Sequence, residues 1–253
     1  MYKYYAFNLN ILSELPFPEL VEKTDFTTLI PDVKISIGEV SPQGLERAQL
    51  TRLFYQANEN ELWLHVPNVA RFHICNGQQI TIHPLPDSQI ESIRLFLLGS
   101  CIGALLMQRN LFLLHANAIK VGQHCISFSG QSGAGKSTLC GAFYQRGYSV
   151  LADDVCAIND KGEVIPSFPQ IKLWHDSAKH LKIETTSLRK IRPHLEKFAL
   201  PLGKHFHENA LPLKIIYLLN THNQSDFCFE TIHGMQKLNP LKNNSYRANY
   251  TQC

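Results

Sequence analysis

The sequence has no C-x-x-C pair, no H-x-x-x-H or H-E-x-x-H pattern and no low-complexity tract. Its seven cysteines, Cys75, Cys101, Cys125, Cys140, Cys156, Cys228 and Cys253, are scattered and odd in number. That excludes a disulfide framework and points to buried free thiols. The densest histidine spot, His205-Phe206-His207, puts its two rings on opposite faces if extended, so structural zinc is not expected. Charge of one sign is also scarce: 24 Lys+Arg stand against 21 Asp+Glu, a formal net charge of +3. A charge-driven nucleic-acid binder is thereby excluded. The longest near-apolar run, residues 95–107, falls short of the roughly 20 residues that cross a bilayer, so no membrane partner is expected. Residues 1–6 lack a basic stretch followed by an apolar core and a cleavage site, which places the protein in the cytoplasm. What the chain does have is apolar content, 44% of 253 residues, enough to bury a core in one large domain or two small ones.

Residues 54–86 read as short strands at 61–66, 70–75 and 79–83, by alternation and by β-rich composition. Asn76-Gly77 between the last two suits a tight hairpin, because both positions accept positive φ. An antiparallel, β-rich N-terminal domain over residues 1–86 follows, with a second domain over 87–253. At Ser88 the period changes to three and four. Ser88 and Glu91 fit a capping box, and a buried helix of five to six turns over 88–108 is predicted. Residues 111–119 and 124–129 then form two strands joined by a short Gly-containing turn.

Gly130-Gln131-Ser132-Gly133-Ala134-Gly135-Lys136-Ser137 matches G-x-x-x-x-G-K-[ST] at every fixed position, after a predicted strand and before a predicted helix over 137–146 that Gly147 ends. The glycines let successive N–H groups of the loop turn inward on phosphate oxygens, and the helix N-terminus adds its own. The nucleotide-binding residues are thus Gly130, Ser132, Gly133, Ala134, Gly135, Lys136, Ser137 and Thr138. Lys136 is the cation for the β and γ phosphates, and Ser137 offers a hydroxyl to Mg²⁺. The strand at 148–152 ends in Asp153-Asp154. A right-handed crossover brings that end to the same edge as the loop, so two carboxylates face the phosphates. One of them can hold Mg²⁺ while the other accepts a proton, and their mutual repulsion raises one pKa.

The segment from His115 to Ile158, with its histidine before the hairpin, the phosphate loop, Arg146-Gly147 and Ala152-Asp153-Asp154, resembles the catalytic core of the HPr kinase/phosphorylase family, bacterial enzymes that phosphorylate a protein serine with ATP. The wider order, including Pro169-Gln170-Ile171-Lys172-Leu173-Trp174, is similar to the HPr kinase-related kinases. Members of that branch beside lasso-peptide genes phosphorylate precursor peptides on serine. The resemblance implies an α/β fold: a P-loop kinase domain of the HPr kinase, PEP carboxykinase-like type behind a smaller β-rich domain. It implies that His115 tunes the acidic pair. Asp153 or Asp154 would be the general base, with Asp153 preferred, and Asp154 would stay with Ser137 near the metal. Arg192 and Lys197, ahead of Leu200-Pro201-Leu202, are implied phosphate contacts, within a basic stretch over 175–210 that otherwise reads as a solvated helical surface. The Glu-Ile-Arg-Gly stretch of HPr kinases is replaced here by residues 167–174. The related kinases continue into further helices past the last residue here, which implies a natural shortening or a cut.

The expected function is therefore transfer of the γ-phosphoryl of ATP, with Mg²⁺, to a serine of a peptide or small protein, lasso precursors included. Assembly as a homo-oligomer is a family option. The loop and acid pair alone also fit a small-molecule kinase or a nucleotide-switched binding protein.

Overall fold

The computed structural model describes residues 1–23, 30–221, 226–247 and 250; Cys253 lies outside them. The fold is mixed α/β, with three sheets and few helices.

The first sheet contains β1 (Tyr2–Ala6), β2 (Leu9–Ser13), β3 (Val21–Glu22), β4 (Val33–Ile37), β5 (Leu50–Thr51), β6 (Tyr55–Ala57), β7 (Glu61–Val66), β8 (Ala70–Cys75) and β9 (Gln79–Pro84), in the order β3-β1-β2-β4-β9-β8-β7-β6-β5. The run from β5 to β9 is an antiparallel meander in which β7 to β9 are the expected strands, with Asn76 and Gly77 at φ 55° and 62° in the tight turn between β8 and β9. The sheet as a whole is not antiparallel, because β4 pairs parallel with both β2 and β9. Parallel pairing joins strands that are distant in sequence and leaves no hairpin signal between them.

One helical stretch, Ile90–Gln108, closes this sheet: α1 (Ile90–Phe96), a π turn (Leu97–Cys101) and α2 (Ile102–Gln108). By length and composition it would suit a bilayer, yet 72% of its apolar window is buried inside the molecule. Leu97, Cys101 and Leu105 share one hydrophobic cluster with Phe72, Ile74, Ile80 and Ile82 of the sheet and with Phe168 and Tyr246 from later in the chain. The Ser88 capping box does not form; Gln89 is the N-cap and makes no side-chain bond there.

The second sheet has the order β10-β14-β15-β19-β12-β11-β13. Its strands are β10 (Phe112–Leu114), β11 (Ala116–Val121), β12 (His124–Ser129), β13 (Val150–Ala152), β14 (Cys156–Ile158), β15 (Glu163–Ile165) and, after the third sheet in sequence, β19 (Leu211–Leu218). The run read as one strand from 111 to 119 is broken at His115, which joins β10 to β11. Helix α3 (Lys136–Gln145) follows the glycine-rich loop, and Gly147, at φ 86°, ends it in the left-handed conformation.

Alternation along β11, β12 and β13 sends Ala116, Ala118, Cys125 and Leu151 to one face and Ile119, Phe128 and Val150 to the other. The second face receives Cys140 of α3, so the helix lies between this sheet and the third. The third sheet is β16 (Gln170–Trp174), β17 (Arg189–Arg192) and β18 (Leu195–Pro201), with β18 in the middle; the short helix α4 (His175–His180) follows β16. The basic stretch read as helical surface is therefore mostly a β-hairpin, since its Ile191, Phe198 and Leu200 are buried at strand spacing. Helix α5 (Leu238–Asn243) precedes a segment that pairs with β10 through Leu114 and Ser245.

Candidate active site

β11 runs antiparallel to both β12 and β13. β12 and β13 therefore point the same way, one strand apart, and their C-terminal ends share an edge. The glycine-rich loop 130–137 leaves the first of these ends and Asp153-Asp154 the second.

Three loop glycines hold left-handed or otherwise positive φ: Gly130 at 150°, Gly133 at 88° and Gly135 at 89°. A side chain at Gly130 would strike the carbonyl of Leu219 at 2.7 Å. Ala134 N–H bonds Gln131 O at 3.1 Å. Among the described residues, no hydrogen bond engages the N–H groups of Gly133, Gly135, Lys136 or Ser137, as expected for a loop and first helical turn open at their donor end. The Lys136 ammonium is folded over the loop, donating to Gly130 O at 2.8 Å and Gln131 O at 3.0 Å. Burial, aided by Lys197, lowers its pKa against the pull of the two aspartates. Asn117, buried on β11, donates to Lys136 O at 2.6 Å and pins the start of α3; its own Oδ1 is buried without a partner.

The two aspartates have different surroundings. Asp153 is 3% exposed; its Oδ1 accepts the Ser137 hydroxyl at 3.2 Å and its Oδ2 the backbone N–H of Lys172 at 2.8 Å. Burial, with the adjacent Asp154 charge, pushes its pKa up from the ordinary 3.8. Asp154 sits at φ 74°, a left-handed conformation that aspartate tolerates better than most residues. Its Oδ1 is 3.2 Å from His115 Nε2 and its Oδ2 3.1 Å from Lys172 Nζ. Burial works to raise it, but Lys172, His115 and Lys197 prevail and hold it well below the usual carboxylate range.

The structure thus gathers His115, Lys136, Ser137, Asp153 and Asp154, and it puts Asp153, not Asp154, against Ser137. Lys197 lies over the Trp174 ring at 5.4 Å, with its charge felt by Lys136 and both aspartates. Arg192 is at the turn of the same hairpin, paired by backbone with Leu195, and among the described residues it makes no ion pair with either aspartate. Thr138 spends its hydroxyl on Ser177 of α4 at 2.8 Å, and Ser132 is exposed at the loop tip.

Sequence reasoning passed over Lys172, a 6% exposed lysine that bonds one aspartate by backbone and the other by side chain. The signal it offered was a charged residue alternating with Ile171 and Leu173 on a strand, where a lysine stays buried only if paired. Tyr246 was also missed: its ring packs edge-on to His115, with centroids 5.9 Å apart.

No protein-family model and no curated protein matches the chain. The assignment of this site therefore rests on its own chemistry.

That chemistry fits a magnesium-bound nucleoside triphosphate. The loop presents unpaired amide donors and a partly desolvated ammonium, while Ser137 and Asp153 set a hydroxyl and a carboxylate oxygen side by side. Among the described residues no three His, Cys, Asp or Glu side chains cluster as a metal cage. Magnesium at a nucleotide does not require one, since it takes phosphate oxygens and water for its remaining ligands.

Proposed function

We propose that the protein is a kinase that transfers the γ-phosphoryl group of ATP to a serine hydroxyl of a peptide or small protein, on a P-loop domain of the HPr kinase type. The observation that carries this reading is the pairing of Ser137 with Asp153 at the loop while Asp154 stands beside them on His115 and Lys172.

The loop amides and Lys136 would hold the phosphates, with Lys136 neutralising charge on the transferring group. Ser137 and Asp153 would hold Mg²⁺, which when bound draws negative charge off the phosphate oxygens. Asp154 is then the carboxylate left to align the serine hydroxyl and take its proton, which exchanges the roles expected from sequence. Its ionised state suits that role, because a loose phosphoryl-transfer transition state asks for a charged, well-placed acceptor more than for a strong base. Each Asp154 oxygen keeps a lone pair beyond its bond to His115 or Lys172. His115 orients the carboxylate, and Lys172 fixes its charge.

The test is mass spectrometry of a pool of serine-containing peptides, lasso-type precursors among them, incubated with the protein, ATP and Mg²⁺. A phosphate mass shift on one peptide that vanishes in Lys136→Ala is the expected result. Nucleotide binding without any shift, and phosphorylation of a sugar or nucleoside instead, would replace the reading with a small-molecule kinase.

A further inference from the structure

Trp174 is half exposed at the last position of β16, an unusual place for a large aromatic side chain that packs into no core. Two anchors bracket it. Two residues earlier, Lys172 is bonded to both aspartates. Three residues later, Ser177 is bonded to Thr138, which follows the loop lysine and serine into the first turn of α3. Trp174 is consequently held between the acid pair and the start of α3, at the rim of the loop. Its cross-strand partner is Lys197, whose ammonium lies over the ring at 5.4 Å and whose charge reaches Lys136.

Taking the phosphate-site reading above as its basis, we propose that the Trp174 ring, backed by Lys197, is the stacking surface for the nucleobase. Aromatic faces accept any base, because every base has a π face, and a cation over the ring adds to the attraction. A stacking face reads no hydrogen-bonding edge of a base, so the site takes adenine and guanine nucleotides with similar affinity. Lys197 joins the two parts of the site, with its ammonium over the ring and its charge felt at Lys136.

The protein carries one other tryptophan, Trp63, which is 6% exposed and bonded to Ser41 O in the first sheet. Emission lost in Trp174→Phe therefore identifies the Trp174 signal, and ligand quenching is read on that share. The experiment titrates the full chain with ATP, GTP and inorganic tripolyphosphate, each with Mg²⁺, and repeats the titrations by calorimetry on Trp174→Ala and Trp174→Phe. The expected result is quenching by ATP and GTP but not by tripolyphosphate. Trp174→Ala should weaken both nucleotides by about tenfold or more and leave tripolyphosphate within about twofold, and Trp174→Phe should recover most of the nucleotide affinity. Quenching by tripolyphosphate alone, equal affinity of all three ligands, or an unchanged nucleotide affinity in Trp174→Ala would overturn the base-stacking role while leaving the phosphate site standing. Quenching by an acceptor peptide in place of nucleotides would move the ring to the acceptor side and overturn it equally. Failure of ATP and tripolyphosphate alike to bind would sink the phosphate-site reading and this proposal with it.

Discussion

Asp153 and Asp154 are neighbours in the chain whose pKa values are pushed in opposite directions. The fold raises the first, so folded Asp153 keeps a proton that the unfolded chain releases above about 3.8. Its contribution to stability falls as pH rises from there through the folded pKa. The fold lowers Asp154, whose contribution is present above the ordinary 3.8 and is lost as pH falls below it. Asp153→Asn should therefore hold or raise the urea midpoint at neutral pH. Asparagine still accepts the Lys172 N–H while its amide meets the Ser137 hydroxyl. The stability of the natural protein relative to this variant should drop as pH rises above the ordinary 3.8 of an aspartate. A variant that is less stable than the natural protein at neutral pH would show that the carboxylate is not strained. At the same scale, Lys172→Met removes the ammonium that holds Asp154. Because Asp154 is partly open to solvent, the expected loss is about 2 kcal/mol, below the range for a fully buried pair, read from urea unfolding.

Elements set how closely these residues can meet. The Tyr246 ring packs against Gly99 and Gly103, one on the π turn and one on the following helix, and a Cβ at Gly103 would come within 2.9 Å of the ring. Gly103→Ala should cost about 1–3 kcal/mol in thermal or urea unfolding, since a buried ring against a helix cannot swing away. Gly147→Ala should cost on the order of 1 kcal/mol, because position 147 is left-handed and has open space around it, so conformation alone is at issue. These elements were unequally legible. The phosphate loop, α3, β7 to β9 and the Gly147 stop could be read because each has a local signature in its own residues. The parallel pairing of β4, the break at His115 and the hairpin inside the basic stretch 175–210 depend on partners far along the chain. The π turn has no local mark at all. Of the site, the loop and acid pair were visible, whereas Lys172, Asn117 and Tyr246 became visible only when folding brought them to the same edge.

The whole molecule is tied across its layers by one ionic cluster. Glu19, before β3, lies 2.9 Å from Arg189 of β17 and 3.6 Å from Arg94 of α1, and Arg189 also bonds Gln170 of β16 at 3.3 Å. The strand carrying Lys172 is thus braced against the N-terminal segment. Arg189→Met should destabilise the chain by about 2 kcal/mol, reduced from the fully buried case by the partial exposure of Arg189, and Glu19→Gln should recover part of that loss in the double variant. Additive losses from the two substitutions would show that the brace carries no coupling. At the far end of that brace stands Asp154, the proposed acceptor of the serine proton. The most direct test of that role is the transfer of label from ATP radiolabelled at the γ-phosphorus to the serine peptides and to water, comparing the natural protein with Asp154→Asn. Label is expected on a peptide serine with the natural protein, with a fall of at least about a hundredfold in Asp154→Asn and ATP affinity unchanged between the two. Equal transfer by both proteins, or loss of ATP binding in the variant, would contradict that role.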